Sequence, residues 1–229
     1  MENKHTKLML AVFAVILMIG ISFVFGYMLA SLKEPVIQTS LSQDQQSLEA
    51  LILTSNLDYT NTSLSCAILE AGIGTLSNNL NELSNELNSA MSGSVVTPQY
   101  SQLSNQLTYT RLNFWVLVQR TNEECGNKFV NLLMFYPGSS TCNGCVNEGQ
   151  ELAYISYLSN YTTVATVLNA HANVSAVSAL DRYYNVTTFP MLVINGKYIV
   201  KGYLTTPQII QYICKYSPSS DLCKQNVSS

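Results

Sequence analysis

The chain has 229 residues, 47% of them apolar and only 11% charged, with a formal net charge of −3. A weakly acidic chain with so little Lys and Arg lacks the electrostatic footprint of a nucleic-acid binder, and no nucleic-acid partner is expected. Abundant Ser, Thr and Asn make it polar without charge, which suits an envelope protein better than a cytosolic enzyme. The length leaves room for a membrane anchor, a stalk and one domain of roughly 90 residues.

Residues 1–7 form a short amino-terminal segment in which Lys4, Lys7 and the terminal amine outweigh Glu2. Leu8 to Ala30 then runs for 23 residues without a charge. At a helical rise of about 1.5 Å per residue this stretch reaches across the roughly 30 Å hydrocarbon core, so residues 8–30 are expected to be a transmembrane helix. A cleaved signal peptide is the competing reading. It calls for an apolar stretch of about 7–15 residues and a small-x-small cleavage site. The run is longer than that, and Met28-Leu29-Ala30 is a poor site. Lys33 and Glu34 cancel beyond the span. The positive-inside rule therefore expects a single-pass cell-membrane protein with a cytoplasmic N-terminus and residues 31–229 outside. All six cysteines fall on that outer side, where an oxidising compartment allows disulfides. Six thiols have 15 complete pairings, so the choice among them needs geometry.

Residues 31–125 read as a linker and a helical hairpin. From Leu48 an apolar stripe advances in alternating steps of four and three through Ile52, Ser55, Tyr59, Thr62, Cys66, Leu69, Ile73, Leu76, Leu80, Leu83 and Leu87. Ser55 and Thr62 weaken the stripe, and Gly72 and Gly74 are places where the helix can bend. Ser92-Gly93-Ser94 and Thr97-Pro98 read as a turn. A second stripe comes next in Tyr100, Leu103, Leu107, Thr110, Phe114, Leu117 and Thr121, with Trp115 beside it. Two helices with a short connection fold back on each other. With the turn centred near residue 95, facing residues have numbers adding to about 190, a condition that Cys66 and Cys125 meet. A disulfide there pins the open end of the hairpin and closes a loop of some 59 residues, worth about 4 kcal/mol in the chain-entropy model. Two unrelated buried thiols are the alternative. The Leu stripe itself is expected to be hairpin core, with a homodimer seam as the minority reading.

Residues 126–217 change character and read as a separate domain, followed by a tail at 218–229. Phe129–Tyr136 is a short apolar run that fits a buried strand. Pro137–Ser140 is a loop. Cys142–Asn160 reads as a helix with Glu148 and Glu151 early, where the dipole favours acids. Val164–Asn169 is a second strand. Val174–Tyr184 is a second helix with Val174, Val177, Ala179, Leu180 and Tyr184 as inner positions. Met191–Ile194 and Tyr198–Val200 are strands joined by Asn195-Gly196, a strong hairpin signal. Thr206–Cys214 closes the domain as a helix, with Thr205 or Thr206 as its cap and Pro207 at its start. The order β-α-β-α-β-β-α implies an α/β fold: a mixed sheet flanked by helices.

Cys142-Asn143-Gly144-Cys145 sits where the first strand's loop enters a helix. A thiol at a helix N-terminus faces unsatisfied N–H groups and the positive end of the dipole, which favour the thiolate, the attacking species in disulfide exchange. Cys142 lies nearer the loop and is expected to be the exposed nucleophile. Cys145 lies further in and is expected to resolve the mixed disulfide. Phe189-Pro190 precedes the third strand, where a proline is sterically permitted. A cis bond there turns the chain sharply and leaves the Phe189 backbone free to pair with an extended substrate segment. An ordinary trans proline starting a strand is the alternative.

Taken together, the strand, the Cys-x-x-Cys on a helix start, and Tyr-Asn-Val-Thr-Thr-Phe-Pro ahead of a β-hairpin resemble the thioredoxin superfamily over residues 128–217. The resemblance implies a thioredoxin-like fold, thiol–disulfide chemistry at Cys142 and Cys145, and a cis-Pro190 packed beside Cys142. With the anchor and hairpin in front, the whole chain resembles membrane-anchored thioredoxin-like proteins of archaea. The chain departs from the family in two ways. The strand before the motif offers Asn131 where many thioredoxins carry a buried acid, leaving Glu148 or a water as the proton relay. Thr141 stands where an aromatic residue usually precedes the first Cys.

Cys214 and Cys223 flank a Ser/Pro loop and are expected to form a local staple. The rival, a zinc site built from Cys142, Cys145, Cys214 and Cys223, requires the last helix to end near the motif. No metal and no cofactor are expected. His171 reads as a surface loop residue, and Tyr154, Tyr157 and Tyr161, at helical spacing, as core or interface. Asn-x-Ser/Thr sequons occur at Asn61, Asn160, Asn173, Asn185 and Asn226, about as many as this composition gives by chance. The leading expectation is a membrane-anchored extracytoplasmic thiol–disulfide oxidoreductase acting on protein thiols or disulfides. The alternative is a non-catalytic, disulfide-stapled binding or assembly module.

Overall fold

The computed structural model describes Ile21 and residues 62–91, 98–138 and 142–225. The chain divides into two compact units, Met1–Ser55 and Asn56–Ser229, and every helix and strand named here belongs to the second. Apart from Ile21, the expected span at 8–30 lies outside the described residues, as do the linker, the stripe from Leu48 to Tyr59 and the turn at 92–97. Among the described residues, no helix is long and apolar enough to cross a membrane.

Helix α1 (Thr62–Met91) and helix α2 (Pro98–Cys125) form the hairpin. Leu69, Ile73, Leu76 and Leu83 are buried along α1, and Leu107, Thr110, Phe114, Leu117 and Thr121 along α2. These are stripe positions read from the sequence. Helix α1 runs unbroken through Gly72 and Gly74. Gly72 marks a close approach instead: a Cβ there would stand 3.3 Å from Leu117. At the open end Cys66 and Cys125 are joined, with Cα atoms 5.7 Å apart.

Helix α2 has a second apolar face. Leu112 and Trp115 enter a core with Leu133, Phe135, Leu168, Val177, Met191 and Val193. The α/β unit therefore draws part of its core from before residue 126.

The remaining elements are β1 (Val130–Tyr136), α3 (Cys145–Leu158), β2 (Thr163–Asn169), α4 (Ser175–Tyr184), β3 (Met191–Ile194), β4 (Tyr198–Lys201), α5 (Thr206–Tyr216) and the short α6 (Asp221–Gln225). The sheet order is β2-β1-β3-β4. β1 and β2 are parallel, and β3 runs antiparallel to both β1 and β4. Pleating sends alternate β1 side chains to opposite faces. Leu133 and Phe135 meet α2 and α4 on one face, while Leu132 and Met134 meet Leu152 and Ile155 of α3 and Ile209 and Ile213 of α5 on the other. Leu222 of α6 joins this second core, so the domain's packing extends past residue 217. Cys214 and Cys223 are bonded to each other, Cα to Cα 5.4 Å. The four-thiolate zinc arrangement therefore does not form.

Three local expectations need correction. The redox helix starts at Cys145, not Cys142, because Gly144 takes φ +96° and right-handed winding cannot begin before it. Ala179, expected inside, is exposed, whereas Val174, Val177 and Tyr184 are buried. Of the two roles expected for Tyr154, Tyr157 and Tyr161, core or interface, the core one does not hold, since all three are exposed. The Asn195-Gly196 turn is as expected: both residues take positive φ, 52° and 67°, and the Lys197 N–H closes onto the Ile194 carbonyl at 3.1 Å. Thr205 caps α5, its N–H donating to Gln208 Oε1 at 2.9 Å.

Candidate functional site

Register brings four chain segments to one end of the sheet. Tyr136, the last residue of β1, lies opposite Asn169, the last of β2. Phe135 lies opposite Met191, the first residue of β3, which in turn lies opposite Lys201, the last of β4. The loop to Cys142, the segment around His171, the Phe189–Pro190 dipeptide and the loop Gly202–Thr205 therefore leave the sheet at the same edge.

Cys142 and Cys145 are bonded at this edge, Cα to Cα 5.6 Å. Cys142 is half-buried in the turn ahead of the helix, and Cys145, the first residue of α3, is 7% exposed. Glu148 sits one turn further along α3, on the same face as Cys145. Its side chain is fully buried. Oε2 accepts the Leu204 N–H at 2.9 Å, and Oε1 has no partner. Burial pushes this carboxyl up to about 7, with the Leu204 bond pulling the other way. The sequence places Glu148 in the first helical turn, where the dipole also favours its charged form. Burial outweighs that preference.

The loop after β4 is tied to α3 by two acids. Besides the Glu148 contact, Glu151 Oε2 accepts the Thr206 N–H at 3.2 Å and the Thr206 hydroxyl. Tyr203 lies across Gly144, whose added Cβ would stand 3.0 Å from Tyr203 Cβ. Tyr203 also donates its hydroxyl to Glu151 Oε1 at 3.3 Å. On the other side, His171 Nδ1 is 3.0 Å from the Pro137 carbonyl, and its ring stands edge-on to Phe189 at 5.7 Å. His171 is thus exposed, as expected, but it bridges two of the loops that converge here. Its spacing in sequence gives no hint of that. The Glu151 and Tyr203 contacts are equally invisible in sequence, because they depend on how far the loop after β4 travels.

Phe189 is half-buried and Pro190 buried, and the peptide bond between them is cis. The Pro190 carbonyl accepts the Gly202 N–H at 2.9 Å. Among the described residues nothing bonds to the Phe189 N–H or carbonyl. Asn131 lies deeper, donating from Nδ2 to the Trp115 carbonyl at 3.1 Å. It is a buried structural amide that joins β1 to α2. Among the described residues, no cluster of His, Cys, Asp or Glu is arranged to hold a metal.

A mixed β2-β1-β3-β4 sheet carries a Cys-x-x-Cys at a helix start and a cis proline before β3, at the same sheet end. The fold is thioredoxin-like. No protein-family model matches the chain, and no curated protein is significantly similar to it. Among solved structures the chain is similar to a chloroplastic thioredoxin z, at 16% identity and a TM-score of 0.34, over 44% of this chain and 88% of that one. The thioredoxin-like fold is carried by the sheet topology and the placement of these residues, and not by that likeness.

Proposed function

We propose that this chain is a membrane-anchored, extracytoplasmic thiol–disulfide oxidoreductase acting on protein thiols or disulfides. The observation that carries the reading is the Cys142–Cys145 pair at the N-terminus of α3, its first residue more exposed than its second, with a buried acid one turn behind. In the reducing direction the Cys142 thiolate attacks one sulfur of a substrate disulfide. The other substrate sulfur leaves as a thiolate, and a mixed disulfide remains. Cys145 loses its proton and attacks Cys142 Sγ. The second substrate sulfur leaves, so two electrons have passed to the substrate and the pair is left bonded. Run backwards, the same steps oxidise a substrate dithiol. Glu148 near neutrality can exchange the proton that Cys145 must lose or gain, the task an acid in β1 would otherwise perform. The unpartnered Phe189 N–H and carbonyl are placed to hold an extended substrate backbone.

Disulfide exchange with a bonded model peptide tests this. Cys142→Ser is expected to abolish turnover, and Cys145→Ser to trap the mixed disulfide. Undiminished exchange by the Cys142→Ser protein would sink the proposal. The anchored, outward placement draws its support from the Leu8–Ala30 run and its flanking charges. Release of the full chain from membranes by alkaline carbonate would overturn it.

The second reading is a disulfide-stapled binding or assembly module. It takes its support from the closed Cys142–Cys145 bond and from the lack of a carboxylate in β1. A potential for that pair below about −300 mV would favour it.

A further inference from the structure

The outer edge of β2 is built as if to receive something. Among the described residues β2 is an edge strand, paired on one side only. The Val130 N–H donates to the Thr162 carbonyl, and the Ala170 N–H to the Tyr136 carbonyl. Strand alternation then turns the backbone groups of even-numbered β2 residues toward β1 and those of odd-numbered ones outward. The outward Thr163 N–H is taken by Ser159 Oγ at 2.9 Å, and the Asn169 carbonyl accepts the Ala172 N–H. That leaves the N–H and carbonyl of Ala165 and Val167, the Thr163 carbonyl and the Asn169 N–H without partners among the described residues.

These residues line a groove of about 760 Å³, walled on the far side by Ile73, Ser77 and Leu80 of α1. Arg111 of α2 reaches into the same groove. Its polar partner is the phenol of Tyr136, which does not line the groove, and no carboxylate pairs with it among the described residues. Desolvation holds this guanidinium below its usual pKa. An unpaired desolvated cation is costly, and an anion relieves the cost.

From the open β2 edge and the Arg111 beside it that no carboxylate pairs, we propose that this groove binds an extended segment of a partner protein as a fifth strand, with an Asp or Glu side chain of that segment on Arg111. The α1 wall decides for a single segment. A second copy would bring its own β2 with its own α1 in front, and the two edges could not meet. Thr163–Val167 gives a contact about 16 Å long. The site is independent of the redox reading, since neither sulfur takes part.

The test uses the full chain in mild detergent and fluorescein-labelled heptapeptides of alternating Thr and Val, capped at both ends, with one Glu at position 2, 4 or 6. At least one Glu peptide is expected to bind at least tenfold tighter than its Gln analogue. Arg111→Gln is expected to bring the Glu peptide down to the Gln level. Ala165→Pro removes only an outward N–H, which an edge strand tolerates, and is expected to weaken binding at least tenfold. N-methylation of alternate peptide amides asks the same question with the protein unaltered. Bound peptide is expected to slow hydrogen exchange at Ala165 and Val167. Equal affinity of Glu and Gln peptides, indifference to Arg111→Gln or to N-methylation, or protection elsewhere would overturn the proposal. So would a neutral peptide with a free C-terminus binding as well as the Glu form, or self-association that protects the same edge.

Discussion

Glu148→Gln isolates a titration that the fold imposes on one side chain. The carboxyl is fully buried, with one oxygen on the Leu204 N–H and the other unpartnered. Its folded value of about 7 stands above the ordinary 4.5. Below about pH 4.5 both folded and unfolded chains hold the proton, and no stability is lost. Between 4.5 and 7 only the folded chain holds it, so stability falls as pH rises. Above 7 both are ionised and the loss is complete. At about 1.4 kcal/mol per unit the full loss is about 3.5 kcal/mol, of which about 3 falls between pH 4 and pH 8. Glutamine keeps the shape and an acceptor for Leu204 but does not titrate. The stability of Glu148→Gln minus that of the unaltered chain should therefore grow by about 3 kcal/mol from pH 4 to pH 8. Urea unfolding across that range, with all disulfides intact, measures it. The other carboxylates cancel in the difference. A difference that stays flat to within about 0.5 kcal/mol would refute a buried, raised Glu148. Under the proposed function the same variant should also lose an inflection near pH 7 in the rate of exchange.

Other perturbations probe the same geometry. Replacing both Cys66 and Cys125 by Ser opens a loop of 59 residues and should cost about 4 kcal/mol in urea unfolding. The Cys214/Cys223 pair closes only 9, and its removal should cost about 2.5 kcal/mol by the same measurement. Gly144→Ala places a side chain at φ +96° against Tyr203. It should destabilise by at least about 1 kcal/mol and should change the accessibility of Cys142 to alkylation after reduction. Trp115→Ala should cost about 3–5 kcal/mol and should loosen amide protection in β1, because Trp115 belongs to the sheet core.

The hairpin was legible because its spacing is one-dimensional. The stripes and the requirement that facing numbers add to about 190 need only a helix period and a turn, and Gly72 against Leu117 obeys the same rule as Cys66 with Cys125. The mixed sheet and the Asn195-Gly196 turn were legible for a similar reason, since each is set by local residue chemistry. What stayed hidden depends on contacts between elements distant in sequence. Trp115 sits beside one stripe, and nothing local says that its side of α2 covers the sheet. His171 gives no sign that it reaches Pro137 and Phe189, which β1 and β3 carry to the same end. The start of α3 is not where the sequence puts it because a cysteine fits a first turn well, whereas the positive φ of Gly144 is a consequence of the loop.

Glu148 and Arg111 show how the same cost takes two forms in a chain with little charge. Each is desolvated, and each lacks a counter-ion among the described residues. A carboxylic acid escapes the cost by keeping its proton, at the pH where thiols begin to exchange theirs. That makes Glu148 suited to move protons beside Cys145. A guanidinium has no such escape, because it stays charged throughout the accessible pH range. Only an arriving anion can relieve it. Under the two proposals, the buried acid serves the chemistry and the half-buried base the binding. Neither Cys142 nor Cys145 lines the groove that holds Arg111, so under both proposals a strand seated on β2 would leave the sulfurs open to a substrate.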